Sequence, residues 1–399
     1  MTANERLSIL HGVRIVSFTS FLLGPAAVQY LADLGADVTK VEMLDGAWER
    51  RWAGGDTFLN GVSAFYMMSH RNARSMALDL KHPLAGQVTR RLIADADVVV
   101  ENFRPGVMSK LGLGYENMIA ENPKLIYASA TGYGSEGPYR NLPGQDLLLQ
   151  SLTGLAANTG RADQAPTPTG APVVDQHGAA LLAMAILAAL LHRERTGEGQ
   201  RVEINMVQAA LDLQLEPVTY FLNGGFVKRP SESLGSAFHS APYGIYETMD
   251  GHIAISLTPM SVVRKALDDA PDLALYEAPS LGLDAREEIY RALAALVSKY
   301  PTRELTEKLR AGGVWCQPVN DYEAAFRDPI IKNLDPVIEM DHPIAGTFRT
   351  LRHPVIYSSG TPEIRNVAPA VGEHTNEILA ELGFDHQQIH DMREAGCVR

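Results

Sequence analysis

The sequence is poor in the features that mark several large protein classes. Only two cysteines occur in 399 residues, Cys316 and Cys397. That is too few for a disulfide framework, and a reducing compartment, the cytoplasm, is the natural setting. Neither cysteine belongs to a redox or metal-spaced motif, and Cys397 is expected at the surface. No GxGxxG follows the first strand-like run, no GxxxxGK[ST] occurs, and there is no GxSxG elbow. Nicotinamide-dependent, P-loop and α/β-hydrolase chemistries therefore lose their usual supports. The His and Cys positions show no zinc spacing, and no metal is expected. Positive charge is also scarce: 35 Lys and Arg face 47 Asp and Glu, a net −12. Such a surface repels phosphate backbones and argues against nucleic acid as a partner. The opening segment MTANERLSILHG has no basic-then-apolar leader pattern. The longest apolar stretch, Gly178 to Leu191, falls short of the about 20 residues that span a bilayer, so it reads as a buried core helix and no membrane partner is expected.

What is present is the composition of a globular protein, 46 % apolar and 21 % charged, long enough for two or three domains at roughly 100–200 residues each. The first half alternates strand and helix patterns. Arg14 to Thr19 reads as a strand, followed by Gly24-Pro25 and the helical pattern AAVQYLADLGA. Pro25 suits a first helical turn and Gly35 a C-terminal cap. Asp37 to Met43, Asp97 to Phe103 and Leu125 to Thr131 read as further strands, with a helix from His82 to Ala96. Strands alternating with helices imply a mostly parallel sheet covered on both faces. A Pro/Gly/Ala-rich loop, Arg161 to Val174, leads into a long helix from Asp175 to Arg195. Arg201 to Met206 is a strand and Val207 to Leu222 a helix. Gly225 to Pro242 reads as a linker. Tyr243 to Leu257 reads as a hairpin turned at Asp250-Gly251, and helices follow over Arg286 to Tyr300 and Thr302 to Ala311. Pro336 to Tyr357 is strand-like and Glu373 to Leu382 helical.

Asp175 is the most informative position, because it ends a flexible loop and starts a long apolar helix. On spacing alone its commoner role is an N-cap. A carboxylate there can also face a cleft and attack a thioester carbonyl, and one side chain can serve both roles. Arg104 lies just past a strand end, where open α/β sheets bind ligands, and Lys81 and Lys110 lie near similar edges. These cations are either scattered surface charges or a cluster for phosphates. His11, His70 and His177 are more often structural than catalytic. Arg50, Arg51, Lys228, Arg229, His239 and Tyr243 are either exposed loop and linker charges or candidates to receive a second carboxylate, which would favour a dicarboxylate substrate.

Several stretches resemble family III CoA-transferases, the CaiB/BaiF group that includes formyl-CoA:oxalate and carnitine CoA-transferases. They are LHGVRIVSFTSFLLGP, LADLGADVTKVE, NARSMALDL, ADVVVENFRPGVMSKLGLGYE, NPKLIYASATGYGSEGPY, HRERTGEGQRVEINM, APYGIYETMDGHIAIS, QPVNDYEAAFRDP and GEHTNEILAELG. Their number and order carry the resemblance through nearly the whole chain. It implies an α/β fold: a large Rossmann-like domain with a parallel sheet, residues 1–215 with 326–399, a linker at 216–242 and a small α+β domain at 243–325. It also implies an interlocked homodimer. By the same resemblance Asp175 is the catalytic carboxylate. It would take the acyl group from CoA as a mixed anhydride, become an aspartyl-CoA thioester, and pass CoA to an acceptor carboxylic acid. That role requires an ionised aspartate, so its pKa is expected to be little raised. Coenzyme A or acyl-CoA is then substrate. Its site would draw on Leu22, Leu23, Leu78, Asp79, Lys81, Asn102, Phe103, Arg104, Lys110, Pro143 and Gln145. Leu22 and Leu23 stand where formyl-CoA transferases carry polar side chains, and the glycine-rich closing run of those enzymes is not evident. The same fold hosts α-methylacyl-CoA racemases, whose histidine is replaced here by Gln145, a residue that cannot exchange a proton near neutral pH. An intramolecular CoA-transferring isomerase and a non-catalytic acyl-CoA-binding protein are the remaining alternatives.

Overall fold

In a computed structural model, residues 6–225, 228–278, 281 and 283–399 are described. Residues 1–5, residues 226 and 227 of the expected linker, and residues 279, 280 and 282 of the expected small domain lie outside them. By internal contacts the chain divides into two units, one of Met1–Leu149, Pro172–Leu213 and Pro336–Arg399, the other of Gln150–Ala171 and Gln214–Asp335.

The first unit is built on six parallel strands: β1 (Arg14–Phe18), β2 (Asp37–Glu42), β3 (Ala73–Ala77), β4 (Val98–Glu101), β5 (Ile126–Thr131) and β6 (Gln200–Asn205), in the spatial order β3-β2-β1-β4-β5-β6. That is the doubly wound, Rossmann-like order. β4 (VVVE) and β5 (IYASAT) are buried along their whole length, as strands covered on both faces must be. Successive side chains of one strand enter opposite layers. Ile15 packs with Ala27 and Leu31 of helix α1 (Leu23–Asp33) and with Leu182 and Ile186 of a long helix over Val173–Thr196. Val16 and Phe18 pack with Val88 and Leu92 of α2 (Ala85–Ala94). Short helices α3 (Val107–Lys110), α4 (Tyr115–Glu121) and α5 (Asp146–Leu152) follow. The long helix is α6 (Val173–Thr196); it ends on Gly197, whose φ of +79° suits a glycine cap. Among the described residues α6 is long and apolar enough, by length and composition alone, to cross a membrane, which the shorter run Gly178 to Leu191 did not reveal. Its inner face is nevertheless the core partner of α1 and β6. After β6 comes α7 (Met206–Leu213).

In the second unit the helix expected over Val207 to Leu222 turns out to be two. α8 (Leu215–Leu222) starts afresh after Gln214, a buried residue with non-helical backbone whose side-chain amide donates to the Thr153 carbonyl and hydroxyl oxygens. β7 (Gly244–Glu247) and β8 (His252–Ile255) form the expected hairpin, joined by β9 (Cys316–Pro318). α9 (Arg286–Val297) and α10 (Thr302–Ala311) cover one face through Ile289, Leu293, Leu305 and Leu309.

The chain returns to the first unit with an antiparallel pair, β10 (Val337–His342) and β11 (Gly346–Leu351), then α11 (Thr375–Glu381) and α12 (His386–Glu394). Ile378, Leu379, Ile389 and Met392 complete the layer over Val16 and Phe18. Cys397 is fully buried in that layer and Cys316 is also buried; the expected surface position for Cys397 is thus corrected. Burial pushes its thiol up to about 11.

Candidate active site at the switch point of the sheet

β1 and β4 lie side by side, and the chain leaves them toward opposite edges of the sheet. A crevice at the carboxyl ends follows from that reversal. Asn102, the residue after β4, closes it by a reciprocal pair: its Oδ1 accepts the Ser20 N–H (2.9 Å) and its Nδ2 donates to the Ser20 carbonyl (2.8 Å). From below, Lys40 Nζ donates to the Thr19 carbonyl (2.9 Å). Phe21 follows in the left-handed region, φ +65°. Gly24 is required by close approach, since a Cβ there would stand 2.6 Å from Thr19 Cβ. The segment from Thr19 to Gly24 is thereby fixed across the strand ends.

The first turn of α6 faces the same edge. The helix begins at Val173, with Pro172 at the N-cap position and no side-chain cap of its own. Asp146 supplies one from α5: its Oδ2 accepts the N–H groups of Val174 (2.8 Å) and Asp175 (3.1 Å). Asp146 is held there because Gly144 and Gly132 approach so closely that a Cβ on either would stand under 3 Å from the other's Cα. The N-cap reading of Asp175 is therefore corrected: Asp146 caps, and Asp175 is the third residue of the helix. Among the described residues no hydrogen bond or ion pair engages the Asp175 carboxylate. Half-buried, it is pushed up to about 7, first by burial and then by the charge of Asp146. The expectation of a little-raised pKa is thus also corrected. Leu23 fits over Gly178, where a Cβ would come within 2.7 Å of Leu23 Cδ1. Since Gly178 is three residues from Asp175 on one helical face, the Thr19–Gly24 segment lies along the turn that carries Asp175.

The other residues singled out in the sequence fall on the same sheet edge with different exposure. Leu22 and Leu23 are buried in the core, as is Leu78. Asp79 Oδ1 accepts the Lys81 N–H (3.0 Å), past β3 and two strands from β1. Phe103 is half-buried and its N–H donates to Glu101 Oε2 (3.0 Å). Lys81, Arg104, Lys110, Pro143 and Gln145 are exposed. The structure thus gathers Leu22, Leu23, Asn102 and Asp175 closely, with Pro143 and Gln145 just before the capping Asp146.

Other candidates are committed elsewhere. Arg50 binds both Glu42 oxygens (2.8 and 2.6 Å) and stacks on Tyr66, 3.7 Å from the ring centre. Arg51 is paired with Asp45. Arg50, held in the interior, is not left to receive a substrate carboxylate, whereas the Arg51 pair is a solvated surface pair. The Arg229 guanidinium donates to the carbonyls of Thr159, Gln164 and Ala165, and His239 Nδ1 lies 2.6 Å from Ser236 Oγ. Lys228 is exposed and Tyr243 half-buried. His11 is exposed, His70 is buried, and His177 Nε2 lies 2.7 Å from Asp212 Oδ2. No group of three or more metal-ligating side chains is gathered among the described residues. Sequence reasoning missed the capping by Asp146, whose only local signal is its place after Gly144-Gln145 at a helix start. It also missed an aromatic row beside the switch point, Phe21, Trp48, Trp52 and Phe65, with successive ring centres 5.2, 5.9 and 4.7 Å apart.

Comparison with known proteins identifies the family and the fold. The sequence pattern of CoA-transferase family III matches residues 10–375. The chain is 32 % identical to the succinate–glutarate CoA-transferase of Agrobacterium fabrum over 94 % of its length and 95 % of the relative's. It is 31 % identical to the succinyl-CoA:glutarate CoA-transferase of Mus musculus, over 99 % and 91 %. A crystal structure of a CAIB/BAIF family protein from Brucella suis superposes with a TM-score of 0.81 at 30 % identity, covering 94 % of this chain and all of that one. The chain belongs to CoA-transferase family III and is an enzyme of the CoA-transferase class.

Proposed function

We propose that the protein moves CoA from an acyl-CoA to a carboxylic acid through covalent intermediates on Asp175. The ionised carboxylate attacks the thioester carbonyl, the C–S bond breaks, and CoA leaves as thiolate while a mixed anhydride remains on Asp175. The thiolate attacks the aspartyl carbonyl, releases the donor acid and forms an aspartyl-CoA thioester. The acceptor carboxylate attacks that thioester, again freeing thiolate, which then takes the acceptor acyl group and restores Asp175. The observation that carries this reading is an unpartnered, half-buried carboxylate in the first turn of a long helix at the switch point. A carboxylate stripped of hydrogen-bond donors is a stronger nucleophile than one solvated in water, and the Val174 and Asp175 amides are spoken for by Asp146.

The large CoA-binding domain, expected as residues 1–215 with 326–399, follows the first unit instead, so Gln150–Ala171, residues 326–335 and the 216–242 linker go with the smaller domain around 243–325. CoA is held along the sheet edge by Asp79, Lys81, Asn102, Phe103, Arg104, Lys110, Pro143 and Gln145, with Leu22, Leu23 and Leu78, whose side chains are buried, contributing through their backbone. The names of the two curated relatives support a C4–C5 dicarboxylate pair. The homodimer is supported by Met184, Leu187 and Leu191 on α6 and Leu211 on α7, which are exposed. Free buried cysteines support a cytoplasmic setting.

The test is Asp175→Ala, assayed with succinyl-CoA and glutarate by mass spectrometry and titrated with CoA. Transfer is expected to vanish while CoA affinity changes less than about threefold. Wild-type turnover in this variant removes the nucleophile. Size-exclusion chromatography with light scattering reads the dimer.

A further inference from the structure

A second concavity opens on the β4–β5–β6 side of the sheet edge, within the first unit. It encloses about 170 Å³, and Arg104, Arg140 and Arg201 all line it. Arg201 Nη2 is paired with Glu203 (2.8 Å). The guanidinium groups of Arg104 and Arg140 meet no partner among the described residues. Ser129, on β5, lines the same cavity; it is 1 % exposed, and its Oγ has no hydrogen-bond partner. A buried hydroxyl left unpaired costs about 1–3 kcal/mol, and native structures satisfy such groups with solvent or a ligand. The carboxylates bordering the cavity are Glu101, which already accepts the Phe103 N–H and is pushed up to about 7 chiefly by burial, and the exposed Glu116.

We propose that this cavity is an oxyanion site of the phosphate class, held by Arg104 and Arg140 with the Ser129 hydroxyl as an added donor. With Arg201 compensated by Glu203, the two unpaired guanidinium groups of Arg104 and Arg140 line one hollow, an exception in a chain of net −12. An anion offsets their charge and takes planar, bidentate contacts that guanidinium groups make well. Burial raises Glu101 toward neutrality, so its charge opposes an anion less than an ordinary carboxylate would. The volume exceeds a phosphate and leaves room for water. The anion is either a phosphate of CoA reaching across the Phe103–Lys110 segment or a free phosphate. The site does not depend on the chemistry at Asp175.

Isothermal titration of the full chain with inorganic phosphate tests it. One saturable site is expected, weakened at least tenfold in Arg140→Gln and measurably in Ser129→Ala. A titration in saturating CoA separates the sources. If a CoA phosphate fills the cavity, CoA abolishes the phosphate signal and Arg140→Gln binds CoA at least tenfold more weakly. If the anion is free, phosphate binds the CoA-loaded protein unchanged and Arg140→Gln keeps full CoA affinity. Identical phosphate and CoA titrations in the wild type and in both variants, with unchanged melting temperatures, overturn the proposal and leave the cavity to water. Transfer activity in the same samples reports separately on the Asp175 reading.

Discussion

Replacing Asp175 by asparagine should abolish transfer and at the same time stabilise the protein at alkaline pH. The sign follows from linkage. An ordinary aspartate titrates at 3.8, and Asp175 in the folded chain is pushed up to about 7. Between those values the folded state binds more protons than the unfolded one, so stability falls as pH rises through the window and the full loss is present above about pH 7. At ~1.4 kcal/mol per tenfold change in proton affinity, the ceiling is about 4 kcal/mol. Two effects reduce it. The side chain is only half-buried, so solvent screens part of the penalty, and the helix N-terminus attracts the anion by about 0.3–1 kcal/mol. A gain of ~1–3 kcal/mol is therefore expected at pH 8 and essentially none at pH 4. The two-unit chain need not unfold in one step, so midpoints of urea and thermal transitions at the two pH values are the readout, together with mass-spectrometric transfer assays. Asparagine that is equally stable or less stable than aspartate at both pH values would refute the account of a carboxylate held ionised against its surroundings.

Three further outcomes follow from named contacts. Asp146→Asn keeps an oxygen to cap Val174 and Asp175 but removes the charge that helps raise Asp175; the acidic limb of the pH–rate profile, expected near 7, should move to lower pH, and an unmoved limb rejects the coupling. Asp146→Ala should in addition lose about 0.5–2 kcal/mol of cap stability in denaturant titrations. Arg50→Ala leaves Glu42, 6 % exposed, without its cation and should cost about 3–5 kcal/mol; KM for a dicarboxylate should stay put in whatever fraction folds, and a selective rise in KM would return Arg50 to the substrate site.

Strand runs alternating with helical patterns made the parallel sheet legible, because β1, β4 and β5 are short runs with few charges, buried on both faces. β3 was not recognised as a strand, since ARSMA has neither β-branched residues nor alternation; it is a strand because β2 pairs with it. At the site, Asp175 stood out locally. Its pKa did not, because burial and Asp146, 29 positions upstream, are facts of tertiary structure. Arg50 failed as a substrate candidate for the same reason: its partner Glu42 lies in β2, and nothing in the string ERRW reveals that pairing.

The segment after β1 shows how such tertiary restraint bears on function. A phenylalanine at φ +65° costs about 1–3 kcal/mol relative to a relaxed backbone, so something must hold Phe21 there. Asn102 grips both peptide groups of Ser20 from β4, Lys40 grips Thr19 from β2, and Gly24 lets α1 close down on Thr19. Lys40 is itself fixed by Glu49 (3.2 Å), and both are buried. Three elements therefore over-determine one short turn beside the helix that carries Asp175. A turn held this way is already set before any ligand arrives, so the attack proposed for Asp175 would take place beside a segment that needs no reorganisation.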